Sequence, residues 1–248
     1  MTRVTKERFK TYKDVFDNHT ERALFRLSGQ GHFDRLLGPV SIGKEANIFT
    51  VLRKDPEEDG DAAGGSMAIA KIYRLETCEF NRMYDYMRYD PRYEGMKRSK
   101  RKIIFSWCQR EFRNLFKARE AGVNVPTPFV FRDNILLMEL IGRKPGSNEP
   151  APKLKDMHPD NPERFYEMLM DQINSFYKSG MVHGDLSEYN ILNQDGKPSI
   201  IDLSQATPIK SSNAEDLLKR DAKNTARFFN KLGLDITEKD AEDRIKLA

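Results

Sequence analysis

Cysteine, histidine and long apolar runs are scarce in this chain, and each scarcity removes a class of explanation. The only cysteines are Cys78 and Cys108, far apart and without metal-type spacing, so both read as reduced packing residues rather than a staple or a zinc knuckle. Four scattered histidines offer no zinc pattern either. No apolar stretch approaches the ~20 residues that span a bilayer, and the start, Met-Thr-Arg-Val-Thr-Lys-Glu-Arg, lacks a signal-peptide core. These absences predict a cytoplasmic protein with no membrane partner. Charge, by contrast, is plentiful and uneven. Between Arg92 and Arg119 ten basic residues stand against Glu94 and Glu111, a net +8 in a chain whose total is +4. Such a stretch can neutralise several nucleic-acid phosphates, or it can be the solvated face of a helix.

The most informative stretch runs from Val182 to Gln205. His183, Gly184 and Asp185 are followed by Asn190, and a second apolar run ends at Asp202. Asp-Gly at 195–196 lies between two β-prone runs, a strong hairpin signal, and a hairpin would bring Asn190 and Asp202 together at its open end. Phosphoryl transfer from a nucleotide needs one carboxylate near the incoming hydroxyl and two oxygen ligands for magnesium. Asp185, Asn190 and Asp202 can supply all three. The protein-kinase pattern H-R-D-x-x-x-x-N has the same Asp-to-Asn spacing; here Gly184 replaces Arg, and Asp202-Leu203-Ser204 stands where Asp-Phe-Gly would be.

Upstream, helical spacing of Phe9, Tyr12, Val15 and Phe16, then of Ala23, Leu24 and Leu27, predicts helices, with a further short one containing Phe33, Leu36 and Leu37. Val40 to Leu52 reads as strand, tight turn, strand. Its turn could cover phosphates with backbone N–H groups, aided by Ser41, Lys44, Glu45 and Asn47. An acidic, glycine-rich connection from Asp55 leads to Met67–Tyr73, a strand with Lys71 in its apolar middle. A lysine there needs a carboxylate or phosphate partner, and Ala68-Ile69-Ala70-Lys71 fits the kinase pattern V-A-I-K. Tyr89 to Arg98 reads as a mobile loop. The helix from Lys100 carries Glu111, the candidate partner of Lys71. Thr127–Phe131 and Asn134–Leu140 form a strand pair, after which backbone groups at Glu139 and Ile141 could hold an adenine edge. Residues 162–179 read as an amphipathic helix, and Asn213 to Leu232 as another, with Thr237 capping a last short one. That tail is too short for the activation loop and peptide-binding helices of a full protein kinase.

Taken together, Ser-Ile-Gly-Lys-Glu-Ala-Asn at 41–47, Glu-Phe-Arg-Asn-Leu at 111–115, His-Gly-Asp-Leu-Ser-Glu-Tyr-Asn-Ile-Leu at 183–192, Ile-Asp-Leu-Ser-Gln at 201–205 and Leu-Leu-Lys-Arg-Asp at 217–221 resemble the RIO atypical protein kinases. The subfamily without an N-terminal winged helix is the nearest match, although Ile42 stands where that pattern usually has Thr. The resemblance implies an α+β, reduced two-lobed kinase-like fold, with a helical extension over 1–37, an N-lobe over 38–141 and a C-lobe over 142–248. It implies ATP and magnesium, or manganese in its place, as cofactors, and serine phosphorylation, of itself included. A role in maturing the small ribosomal subunit, with that particle or its rRNA as partner, is implied by the resemblance alone. Carried onto this sequence, Lys71 binds phosphate, Glu111 orients it, Asp185 is the catalytic base, and Asn190 and Asp202 bind metal. Asp202 could also accept a phosphoryl group itself, as suits an ATPase. A small-molecule phosphotransferase of aminoglycoside-kinase type and an RNA-binding assembly factor with a nucleotide switch are the alternatives. Ser99 is either an autophosphorylation site or the cap of the helix that follows it.

Overall fold

The computed structural model of the protein describes residues 16–53 and 66–247. The helical start expected at Phe9, Tyr12 and Val15, and nearly all of the acidic connection from Asp55, lie outside the described residues. The chain divides into two compact units. The first takes the described residues up to Tyr84 together with Lys97–Phe112 and Pro128–Leu140, and the second takes Asp85–Met96, Arg113–Thr127 and the chain from Ile141 onward. This partition is interleaved along the chain. Among the described residues no helix is long and apolar enough to cross a membrane.

The first unit opens with α1 (Asn18–Gly29), started by Asp17, whose carboxylate accepts the backbone N–H groups of His19 and Thr20. Its five-stranded sheet has the order β1-β2-β3-β5-β4, with β1 Arg35–Ile42, β2 Ala46–Leu52, β3 Met67–Tyr73, β4 Pro128–Arg132 and β5 Ile135–Glu139. The short helix expected around Phe33, Leu36 and Leu37 is absent. Leu36 and Leu37 belong to β1, which pairs Arg35 with Leu52 and Leu36 with Val51. Ladder hydrogen bonds outweigh a three-residue helical coincidence, as tertiary context commonly overrides local pattern.

Alternation along the strands sorts side chains between the two sheet faces. One face joins Phe49, Val51, Ala68, Ala70, Ile72, Ile135 and Leu137 to Leu24 and Leu27 of α1 in a continuous apolar core. Lys71 and Tyr73 point to the other face, towards Glu111 of α3 (Lys100–Glu120). Before α3 come α2 (Phe80–Met87) and a single 3-10 turn, Pro91–Tyr93. The stretch expected to be a mobile loop is thus structured in its first half, where Asp90 is buried and caps the turn.

The second unit is mostly helical. It holds α4 (Pro162–Lys178), α5 (Ala214–Lys231) and α6 (Glu238–Ile245), the last begun by a reciprocal capping box between Thr237 and Asp240. Two small ribbons interrupt the helices: β6 (Met181–Val182) with β9 (Thr207–Pro208), and β7 (Ile191–Gln194) with β8 (Lys197–Ile200). The β7–β8 turn has positive φ at both Asp195 (51°) and Gly196 (81°), the geometry that Asp-Gly favours.

Leu24 is fully buried among sheet residues, so α1 contributes to this core. Leu24→Ala should cost about 2–5 kcal/mol in denaturant unfolding. A loss under about 0.5 kcal/mol would show α1 to be dispensable to the unit.

Candidate active site

In the first unit the sheet presents Lys71 to α3. Lys71 lies between Ile48 and Leu136 in the register, and its Nζ reaches Oε1 of Glu111 at 2.7 Å, with the two side chains 7% and 1% exposed. The Tyr73 hydroxyl donates to the other carboxylate oxygen. Two donors on one buried carboxylate fix its plane, and with it the direction of the lysine ammonium. Removing either charge would strand the other in a low-dielectric interior. Cys108, fully buried near Glu111 and Lys71, has its thiol pushed well above its ordinary value by burial and then by the Glu111 charge, so it is inert packing.

The β1–β2 turn is bound by its carbonyls. Arg74 N–H donates to Glu45 O at 2.9 Å, Thr77 Oγ1 to Lys44 O at 2.8 Å and Cys78 Sγ to Glu45 O at 2.8 Å. Gly43 is required here, since a Cβ would lie 2.9 Å from Ala46 O. Ser41, Lys44 and Glu45 have exposed side chains, and of these Ser41 and Lys44 can donate to a phosphate. Asn47 does not join them. It is paired with Ile72 on the α1 face, opposite Lys71, where it is 2% exposed and lines a cavity of about 140 Å³ with Phe16, Asp17 and Thr20. Strand parity explains the miss: Asn47 and Phe49 share a face, and Phe49 is core. At the far end of the sheet Glu139 closes β5, while Ile141 belongs to the second unit, its carbonyl accepting Ala151 N–H at 2.8 Å.

The second unit gathers the other three predicted residues on the hairpin. Ile201 N–H donates to Asn190 O at 2.9 Å, closing the ribbon beyond β7 and β8 and setting Asn190 across from the segment that carries Asp202. Asn190 Nδ2 donates to the Asp185 carbonyl at 2.9 Å and to Asp185 Oδ2 at 3.2 Å, so the amide orients the carboxylate. Asp202 sits in the left-handed region at φ 58°, ψ 67°, and accepts Ser204 Oγ on Oδ1 at 2.7 Å. His183 is buried and receives the Asp185 N–H on Nδ1 at 3.2 Å, which places its proton on Nε2, 3.3 Å from the Ile201 carbonyl. The imidazole thereby ties the two strands of the site together.

Several positioning residues were not legible from the motifs. Asp221 of α5 accepts the N–H of Gly184 at 2.7 Å and of Leu186 at 2.8 Å, gripping the backbone on both sides of Asp185. Its neighbour Arg220 donates to the Gly184 carbonyl, to Gln205 Oε1 at 3.0 Å and to the Tyr86 hydroxyl at 3.0 Å, and lies 3.9 Å from Asp185 Oδ1. Gly184 permits this at φ 80°, where a Cβ would press on Gln205 O and Leu217. Behind Asp202, Asn114 donates to the carbonyls of Leu203 and Ala206, each at 2.8 Å. Asn114 is held in turn by Arg92, which also forks onto Asp90. The available signal was an ionisable or amide side chain on an apolar helical stripe: Asp221 follows Leu217 by four, and Asn114 precedes Leu115.

A lysine locked to a helix glutamate, and an Asp-x-x-x-x-Asn hairpin ending in a second aspartate, are the working parts of a protein kinase. Comparison with known proteins narrows the class. The family described as the RIO domain matches residues 47–242. The RIO-type serine/threonine-protein kinase Rio1 of Haloferax volcanii is 40% identical over 92% of this chain and 75% of its own. Its namesake from Methanocaldococcus jannaschii is 38% identical over 94% and 76%. Among solved structures, the Rio2 kinase–ADP/Mg2+–phosphoaspartate complex from Chaetomium thermophilum has a TM-score of 0.68 at 21% identity, covering 92% of this chain and 67% of that one, a likeness of fold. The chain belongs to the RIO family of serine/threonine-protein kinases, with the α+β, kinase-like fold that the sequence implied.

Two buried groups set opposite pH dependences around Asp185. Burial lowers His183 from 6.5 to about 4, so the stability of its neutral form is lost as pH falls from about 6.5 towards 4, where the unfolded chain takes up the proton. Burial raises Asp221 from 3.8 to about 7, against its two N–H donors and Arg220, so this group loses stability as pH rises from about 4 towards 7. In the native protein the slopes oppose each other. Asp221→Asn should leave the His183 slope alone, a melting temperature that climbs with pH from 4 to 6.5, at most about 1.4 kcal/mol per pH unit. His183→Gln should show a fall over the same range. Parallel profiles for the two variants would refute the assignment.

Proposed function

We propose that this protein transfers the γ-phosphoryl group of ATP to serine hydroxyls, its own included, using magnesium. The observation that carries this is the Asp185–Asn190–Asp202 arrangement across one hairpin. Asn190 turns its amide nitrogen to Asp185, leaving the amide oxygen for a cation; with the Asp202 carboxylate it makes a hard-oxygen pair of the kind magnesium takes beside phosphate oxygens. The ion would neutralise charge on the transferring group. The ADP and Mg2+ of the Chaetomium complex support that choice, and nothing comparable speaks for manganese.

In this reading Asp185 accepts the serine proton as the serine oxygen bonds to the γ-phosphorus and ADP departs. Lys71, aimed by Glu111, holds phosphate oxygens, and the 41–45 turn covers them. Backbone groups at Glu139 and Ile141 hold the adenine edge; the Ile141 carbonyl is already taken by Ala151, so its contribution is the N–H. When no serine is presented, Asp202 can itself accept the phosphoryl group, and the phosphoaspartate of the Chaetomium complex supports such an ATPase branch. Ser99, exposed and just ahead of α3, is the proposed autophosphorylation site.

Cytoplasmic action in small-subunit maturation completes the proposal, with rRNA as the contacted polymer. Of the ten basic residues, Arg110 is fully buried and Arg92 is engaged with Asp90 and Asn114, so neither can bind it. Lys97, Arg98, Arg101 and Lys102 are exposed, and the first turn of α3 has no acidic residue to offset them.

Asp185→Ala should lower ATP turnover and autophosphorylation by about 10²–10⁴-fold while retaining nucleotide binding. With labelled ATP, native protein should give acid-stable phosphoserine and a hydroxylamine-labile acyl phosphate at Asp202. Undiminished labelling of the Ala variant would sink the reading. For the RNA contact, affinity for small-subunit rRNA should fall steeply with salt, and reversing Arg98, Arg101 and Lys102 to Glu should flatten that slope by about 2–3 units. Equal slopes would remove this surface from consideration.

A further inference from the structure

Away from Asp185 and Asp202, the second unit contains a cavity of about 470 Å³ that none of the steps above uses. Its wall comes from the segment after Ile141, the start of α4 and the tip of the β7–β8 hairpin. Four cations line it: Arg143, Lys144, Arg164 and Lys197, all with exposed side chains. Arg143 is paired with Glu149 at 3.0 Å. Among the described residues Lys144, Arg164 and Lys197 have no carboxylate partner. Between the cations lies apolar surface, from Met157, which is 38% exposed, and from Met168 and Pro159.

We propose that this cavity docks an extended acidic peptide segment of a protein partner, with one apolar side chain seated against the two methionines. Arg143, Lys144, Arg164 and Lys197 outnumber Asp160 and Asp195 on this wall, so the rim of the apolar patch stays net positive and complements carboxylates flanking a hydrophobic residue, while flexible Met side chains adapt to varied anchors. RNA fits less well. Among the lining residues His158 is the one aromatic side chain, already set edge-on to Phe228, so the cavity gives successive bases no row of rings to stack on. The rear of the site is well fixed, because Asn193, 5% exposed, accepts Gly196 N–H at 2.9 Å and donates to Met157 O at 3.3 Å.

The cavity is at the tip of the hairpin whose open end carries Asn190 and leads to Asp202. Four strand residues at about 3.3 Å each separate the two ends by roughly 13 Å. A segment held at the tip would therefore present a serine about four or more residues away to Asp185. That the docked partner is a phosphorylation substrate rests on the kinase reading; the docking itself does not.

The test is fluorescence anisotropy with the labelled peptide Asp-Glu-Asp-Leu-Asp-Glu, without nucleotide, so that failure of catalysis leaves the measurement intact. Binding should weaken at least tenfold in Arg164→Glu/Lys197→Glu, and separately in Lys144→Glu, with thermal melting confirming that each variant is folded. Replacing the peptide Leu with Ser should weaken it several-fold, and Asp185→Ala should leave it unchanged. Linked to a serine peptide, the acidic segment should lower KM for the native protein and not for the double variant, with kcat unaltered. Peptide affinity that ignores the reversals would overturn the proposal. So would a uridine 12-mer that binds more tightly than the peptide and loses affinity in the same variants, which would assign the cavity to RNA.

Discussion

One buried carboxylate holds the segment around Asp185 in shape. By accepting the N–H groups of Gly184 and Leu186, Asp221 fixes the peptide planes before and after Asp185, and α5 anchors that grip in the helical core. The other contacts around Asp185 depend on this loop being set. Asn190 can orient the Asp185 carboxylate only if the backbone between them is in register, and His183 can bridge to Ile201 only if the loop stays against the hairpin. Burying a carboxylate among N–H donors is costly in desolvation and repaid through directional hydrogen bonds, which suits a site that needs geometry more than stability.

The first unit solves a parallel problem with a different device. Lys71 must keep its charge inside a sheet, so it is matched with Glu111, and Tyr73 holds the second oxygen of that carboxylate. The pair lies on one sheet face while the other is given over to apolar packing against α1. A sheet of this kind separates chemistry from cohesion by strand parity alone.

That parity also governs how much of the molecule was readable. The strands around Lys71, the Asp-Gly hairpin, and the helices begun by Lys100, Pro162 and Ala214 were legible because each shows its period or turn chemistry within a few residues. Leu36 and Leu37 were not, since the edge strand β1 is exposed over most of its length and its sequence carries little alternation. Asn47 was assigned to the turn by proximity in sequence, whereas the sheet register sends it to the α1 face. Asp221 and Asn114 act through backbone N–H groups and carbonyls far away in sequence, and no local motif encodes a partner 35 to 92 residues distant.

The conformation of Asp202 has a further implication. At φ 58° a side chain with a Cβ is held where glycine would rest more comfortably, at a difference of order 1 kcal/mol for a non-glycine residue. Asp133 and Asp195 adopt a similar positive φ, since aspartate enters the left-handed region more readily than most side chains. In the proposed mechanism the Asp202 carboxylate is held at a small cost to the backbone, so thermostability and phosphoryl transfer would favour different residues at this position.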